Sequence, residues 1–184
     1  GSRMFEERFD GDLRQWGPAH GRWQITAGAL IQDSEWTSAS LAFPEKAIGR
    51  FDLSCRVRFT GPGADPQVGL SVDRGEGYWL ITLRPGGRLS WSFIVPGEAA
   101  GLFHGGAVAT VRQAEWATLT VACRDDRLVL GLDGQTFLAG PAPGKGGISL
   151  KARKGVSLDD VSLTYDTDGH PYRNRQINGS FEHA

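Results

Sequence analysis

The 184-residue sequence has only two cysteines, one methionine and a net charge of −1, and each shortage removes a class of function. Two thiols cannot complete a structural zinc site, and the spacing of Cys55 and Cys123 fits no zinc motif. With 20 basic against 21 acidic residues, the chain has no overall electrostatic grip on nucleic acid or anionic lipid. No apolar run nears the roughly 20 residues that a membrane-spanning helix needs, so no membrane insertion is expected. Helical periodicity is missing as well: no window of about 11 residues carries an apolar stripe at 3.6-residue spacing. Short turns near residues 13–16 or 96–100 are the most helix to expect. Gly-x-Ser-x-Gly and a phosphate-cradling glycine loop are both absent. His20, His104, His170 and His183 accompany no serine or cysteine in a nucleophile motif.

What the sequence has is alternation and glycine. Its 26 glycines amount to about twice the usual share near 7%, and they fall between short runs of period two. In the run from Phe51 to Phe59, the residues Phe51, Leu53, Cys55, Val57 and Phe59 alternate with Asp52, Ser54, Arg56 and Arg58, as in a half-buried strand. Residues 116–123, 128–132, 147–151 and 156–163 repeat the pattern. Pro62-Gly63, residues 74–77 and 85–87, Asp125-Asp126, Asp133-Gly134 and residues 145–147 supply turns. Asp133-Gly134 is the strongest hairpin signal among them. A dozen or so short strands at this spacing predict an all-β fold, a two-sheet antiparallel β-sandwich over residues 5–165. Gly1-Ser2 reads as the remnant of a cleaved tag, with residues 1–4 an N-terminal extension, and residues 166–184 as a linker-like tail. Cys55 and Cys123 both fall on inward phases. Buried free thiols are the expectation, with a disulfide open if their strands match in register.

One strand breaks the rule. Residues 78–83 are apolar in both phases, so this strand is covered twice or lines a groove. Its neighbours place Gly69, Ser71, Asp73, Ser90 and Ser92 on one face, small and polar like the floor of a shallow concave surface. Sugars are held by aromatic faces together with planar polar side chains. The candidates for ligand binding are Asp73, Tyr78 or Trp79 (opposite phases of one strand), Arg84, Arg56 and Trp36, the last in a polar loop. Asp73, Arg84 and one of the two aromatics are expected to converge at one end of the face. Trp23, Trp91 and Trp116 are expected in the core, and Trp16 over the N-terminal turn.

The ordered landmarks resemble the concanavalin A-like lectin/glucanase superfamily, in its laminin-G-like and 3-keto-disaccharide-hydrolase-like branches. Phe9-Asp-Gly-Asp-Leu13 with Trp16, Gly21-Arg-Trp-Gln-Ile25 and Gly28-Ala-Leu30 carry the N-terminal part of the likeness. Residues 51–59, 68–72 with Gly77-Tyr-Trp79, 116–121, 147–150 and 156–161 carry the rest. The resemblance implies a jelly-roll sandwich, an architecture that hosts lectins, glycan-binding modules, glycosidases and adhesive modules alike. It also implies that the last strand lies beside the first. Asp10, Asp12 and Asp159 or Asp160 would then meet at the N-terminal turn and form an all-oxygen structural Ca²⁺ site. The alternative is that one of the two later aspartates bonds turn amides while the other faces solvent. Residues 178–182 resemble the opening of further carbohydrate-binding jelly rolls, which implies other domains of a longer secreted or envelope protein.

Catalysis finds little support in the residues. Sandwich glucanases of this superfamily place their acids alternately on one strand, and no such strand occurs here. Asp73 and Glu76 are the closest pair and read as turn carboxylates. The expectation is therefore a non-catalytic carbohydrate-binding, lectin-like module with a glycan or oligosaccharide as partner. A glycoside hydrolase of the 3-keto-disaccharide branch and a structural or adhesive protein-binding module remain alternatives.

Overall fold

The computed structural model describes residues 2–34, 39–110 and 115–168, and among them there is no helix. In chain order the strands are β1 (Arg3–Glu7), β2 (Ala19–His20), β3 (Trp23–Thr26), β4 (Ala29–Gln32) and β5 (Ala39–Ala42). Then come β6 (Phe51–Phe59), β7 (Val68–Asp73), β8 (Tyr78–Arg84), β9 (Arg88–Ile94) and β10 (Leu102–Val108). The last five are β11 (Ala117–Arg124), β12 (Arg127–Leu132), β13 (Gln135–Pro141), β14 (Ile148–Ala152) and β15 (Val156–Tyr165). Asp133-Gly134 makes the tight hairpin expected of it, with φ of 47° and 85° and Leu132 facing Gln135 across the β12–β13 ladder. Positive φ at both central residues gives a turn whose twist matches the strands it joins.

The strands form two antiparallel sheets. The eight-stranded sheet runs β13-β12-β11-β6-β15-β4-β3, with β1 also paired to β15. The seven-stranded sheet runs β10-β9-β8-β7-β14-β5-β2. Inward phases meet between them: Leu53, Cys55, Val57, Leu119, Val121, Leu128 and Leu130 from one side, and Val68, Leu70, Val72, Trp79, Ile81, Leu83 and Leu150 from the other, all buried. Each large apolar side chain so buried contributes about 1.5–3 kcal/mol. The packing is that of a sandwich, with alternate residues of every central strand committed to one interior.

Strand β15 explains the N-terminal arrangement. Its first part pairs with β4 through Ser157 and Leu158, and its second part pairs with β1 from Val161 to Tyr165. Between them a bulge shifts the register against β6 at Asp159–Ser162, and Asp160 adopts a φ of 46°. The first and last strands are thus adjacent, and pairing begins at Arg3, before the boundary set at Phe5. Asp166, just past β15, still receives a hydrogen bond from the Arg50 side chain at 2.9 Å.

Two buried polar groups join elements of the fold. Arg74, in the turn after β7, is wholly buried and donates to the carbonyls of Ile48 and Gly49 at 2.7 Å each. It thereby ties the β7–β8 hairpin to the entry of β6 in the other sheet. Burial pulls its pKa below the usual arginine value. Cys55 and Cys123 are free and buried. They lie on adjacent strands, but Cys55 faces Leu119 while Cys123 faces Phe51. That four-residue offset is about 13 Å of strand, beyond the Cα reach of a disulfide. Burial pushes the Cys55 thiol up to about 12.

Candidate functional site

The outer face of the seven-stranded sheet is assembled from the residues that alternate with the core. Strand pairing arranges them in rows. One row crosses all seven strands as His20, Ser40, Lys151, Gly69, Thr82, Ser90 and Gly106. The next runs Ala42, Ser149, Ser71, Leu80 and Ser92. Gly69, Ser71, Ser90 and Ser92 therefore floor one face, as the alternation predicts. A depression of about 190 Å³ opens in it, lined by Gln67, Gly69, Leu80, Thr82, Lys151 and Arg153. Gly69 makes room for it: a Cβ there would lie 2.9 Å from the Ile81 carbonyl oxygen and 3.8 Å from the Lys151 Cβ.

The expected ligand residues sort out along this face. Tyr78, half-buried, starts β8 opposite Asp73 and Ile94. Asp73 is exposed and accepts from the Gly75 amide at 3.0 Å, closing its own turn. Arg84 ends the same strand opposite Arg88. Six residue steps separate Tyr78 from Arg84, roughly 20 Å of strand, so these residues bracket the face instead of converging at one end. Trp79 is not on the surface at all. Its ring is fully buried and lies 5.5 Å from Phe93, and its Nε1 donates to the Pro141 carbonyl at 3.0 Å. Of the two opposed phases of β8, the outward one belongs to Tyr78. Trp36 lies outside the described residues.

Arg56 is on the other sheet. It sits on the outer face of β6, 5.2 Å from the Trp116 ring centroid and 3.4 Å from the Asp160 carboxylate. Arg58 lies over the same ring at 4.7 Å. Trp116 is therefore an outer-face residue and not part of the core. The inward phase of Leu119, Val121 and Cys123 selects Ala117, one position on. Trp23 and Trp91 are half-buried against the core, and Trp16 is buried, as expected.

This eight-stranded face carries a larger trough of about 460 Å³, lined by residues that include Ser54, Thr120, Thr136, Ser162 and Thr164. Its central row reads Thr136, Gly131, Thr120, Ser54, Ser162 and Glu6. Gly131 makes room for the Thr120 side chain, whose hydroxyl would collide with a Cβ there. Asp52 pairs with Arg124 toward one end and Asp160 with Arg56 toward the other. The sequence reading did not find this trough. Alternation showed the hydroxyls, but not that β11, β6 and β15 would set them side by side.

The four aspartates expected around a calcium ion are held separately. Asp10 and Asp12 are exposed, and Asp12 pairs with Arg14 at 2.7 Å. The Asp159 carboxylate accepts from the Asp160 amide at 2.8 Å. Among the described residues no three His, Cys, Asp or Glu side chains gather as a metal would require. The acid that meets the N-terminal turn is Glu7, buried on the inward phase with Phe5 and Phe9. It accepts from the Phe9 amide at 3.1 Å and from Trp16 Nε1 at 2.9 Å. Two donors compensate its burial without a cation.

No protein-family model matches the chain, and no curated protein matches its sequence. Comparison of structures gives clear matches. The carbohydrate binding module CBM66 from Bacillus subtilis superposes with a TM-score of 0.63 at 12% identity, covering 83% of this chain and 96% of that one. A Bacillus licheniformis β-glucanase superposes at 0.57 and 11% identity, covering 88% and 97%. A Bacillus subtilis protein of unknown function with a galectin-like fold gives 0.67 at 8% identity, covering 86% and 94%. The fold these structures share with the chain is the concanavalin A-like jelly roll. Identities this low are a likeness of fold and do not transfer an activity.

Proposed function

We propose that this chain is a non-catalytic carbohydrate-binding module that takes an oligosaccharide along the outer face of its seven-stranded sheet. The observation that carries the reading is the layout of that face. Its floor of small and hydroxyl side chains runs for roughly 20 Å along β8, with Tyr78 at one end and Arg84 at the other. An extended floor suits a chain of several sugar rings better than one sugar. Tyr78 offers a ring face, Ser71, Ser90, Ser92 and Thr82 exchange hydrogen bonds with hydroxyls, and the Arg84 fork suits vicinal oxygens. Binding is favoured over hydrolysis because Asp73 is the only carboxylate among the outward positions of β7, β8 and β9, and it caps its own turn. Glycoside hydrolysis uses two acids across the scissile bond. A place within a larger secreted or envelope protein belongs to the same proposal.

Affinity electrophoresis against a panel of polysaccharides tests the reading. The protein should be retarded by at least one of them, and Tyr78→Ala and Arg84→Ala should restore mobility without lowering the melting temperature. Release of reducing sugar that is lost in Asp73→Ala would replace this reading with the hydrolase one. Retardation that survives both alanine variants would remove the site assignment.

A further inference from the structure

We infer that Arg74 is a positioning residue for this site, holding the Tyr78 end of the glycan face in place from beneath, an inference that rests on the carbohydrate-binding reading above. Tyr78 and Asp73 form the last rung between β7 and β8. On its other side Tyr78 faces Ile94, the end of β9. Beyond these residues the ladder stops, so the place of the Tyr78 ring depends on the turn that joins the two strands. That turn is drawn onto the core. The Arg74 amide donates to the Gly77 carbonyl at 2.9 Å, and a Cβ at Gly77 would lie 2.7 Å from the Phe93 ring. The residue just before Tyr78 therefore packs bare backbone against the interior.

What draws the turn inward is a buried cation. The Arg74 side chain is wholly buried, with the Phe51 ring centroid 5.7 Å from its guanidinium carbon. Its acceptors are the carbonyls of Ile48 and Gly49 at 2.7 Å each and that of Asp73 at 3.4 Å, and its Nε has no partner among the described residues. A charge buried on carbonyls alone, with one nitrogen unsatisfied, costs more than an apolar side chain of similar size would. An orphaned buried group of this kind calls for a reason other than stability. The surrounding contacts supply one. Ile48 is bridged to Gly146, and the Asp73 amide donates to the Gly147 carbonyl at 2.9 Å. Arg74 thus closes a circuit from Asp73 through residues 146–147 and 48–49 back to its own turn. That circuit lies under the end of the face where Tyr78 stands. Arg84, six residue steps along β8 and roughly 20 Å away, is outside it.

A double-mutant cycle tests the inference, read by titration calorimetry with oligosaccharides cut from the polysaccharide that retards the protein in affinity electrophoresis. Arg74→Met keeps most of the side-chain bulk and removes its hydrogen bonds. It should weaken binding roughly three- to tenfold, but less than about twofold when Tyr78 is already alanine. Against Arg84→Ala its effect should be undiminished, since distant sites add. Arg74→Lys, which keeps the charge and fewer bonds, should retain part of the affinity. Glu7→Ala, which strips a buried partner from Trp16 and Phe9 on the other sheet, should lower Tm and leave the affinity unchanged. If Arg74→Met behaves like Glu7→Ala, its role is structural only and the inference falls. Equal losses on the Tyr78→Ala and Arg84→Ala backgrounds would overturn it too. Should Arg74→Met not fold, Arg74→Lys carries the cycle, and failure of both to fold would make Arg74 a core residue and end the inference. Each of these outcomes leaves the carbohydrate-binding reading standing, whereas a wild-type protein that no polysaccharide retards would remove both.

Discussion

The two outer faces of the sandwich are built alike but framed by different side chains, Tyr78 and Arg84 on one and Trp116 under Arg56 and Arg58 on the other. Each has a floor of serine and threonine with a glycine in it, Gly69 lining the depression of one sheet and Gly131 lying against the Thr120 side chain of the other. On the eight-stranded face Arg124 pairs with Asp52 and Arg56 with Asp160, while Arg58 lies over the Trp116 ring and its buried Nε has no hydrogen-bond partner among the described residues. On the seven-stranded face Arg84 and Arg153 both reach Asp65. Hydroxyl-rich hollows follow from packing small residues on a flat sheet face, so a hollow by itself says little about ligands. The row of small and hydroxyl side chains between Tyr78 and Arg84 is the informative part. The larger trough is therefore the weaker candidate.

The comparison can be broken or sharpened by substitution, starting with the largest effect. Trp79→Ala should cost about 3–5 kcal/mol of stability, read as a lowered Tm. Its neighbour Tyr78→Ala, on the outward phase, should lower Tm far less and weaken glycan binding on the order of tenfold, as for an anchor residue. Equal effects on Tm would mean that the two phases of β8 are not inside and outside as described. Next come variants that fill the two hollows. Ser71→Tyr, which would crowd the floor beside Leu80, should lower affinity severalfold in calorimetry, whereas Thr120→Tyr in the opposite trough should not. The reverse pattern would move the site to the eight-stranded face. The smallest effect concerns calcium. With Glu7 satisfied by Phe9 and Trp16, added calcium or a chelator should leave Tm where it was. A rise with calcium that the chelator abolishes would put a metal back at the N-terminal rim.

Much of the sandwich was legible in the sequence because alternation encodes a two-faced strand directly. The inward set of β6, the hairpin at Asp133-Gly134, the polar floor from Gly69 to Ser92 and the free thiols could all be read from local pattern. What could not be read was adjacency between distant strands. The phase of β14 sets Lys151 outward, but only its insertion between β5 and β7 brings that lysine next to Gly69. Arg84 and Tyr78 were expected to converge at one end of the face, but they end one strand six residue steps apart, a separation that counting along the strand could have shown. Trp116 was open to correction in the same way, since the phase of its own strand points it outward. Glu7 left a trace too, as an acid on the inward phase between Phe5 and Phe9. Its role needed Trp16 folded against it, a contact made across nine residues.

The central claim is that glycan lies on the seven-stranded face over the Gly69 hollow. The most direct test follows the backbone amide signals of the protein by NMR during titration with oligosaccharides cut from the polysaccharide that retards it in affinity electrophoresis. The account predicts shifts concentrated at Gly69, Ser71, Leu80, Thr82 and Lys151, with Ser54, Thr120 and Ser162 unmoved. Shifts confined to Ser54, Thr120 and Ser162 would contradict it.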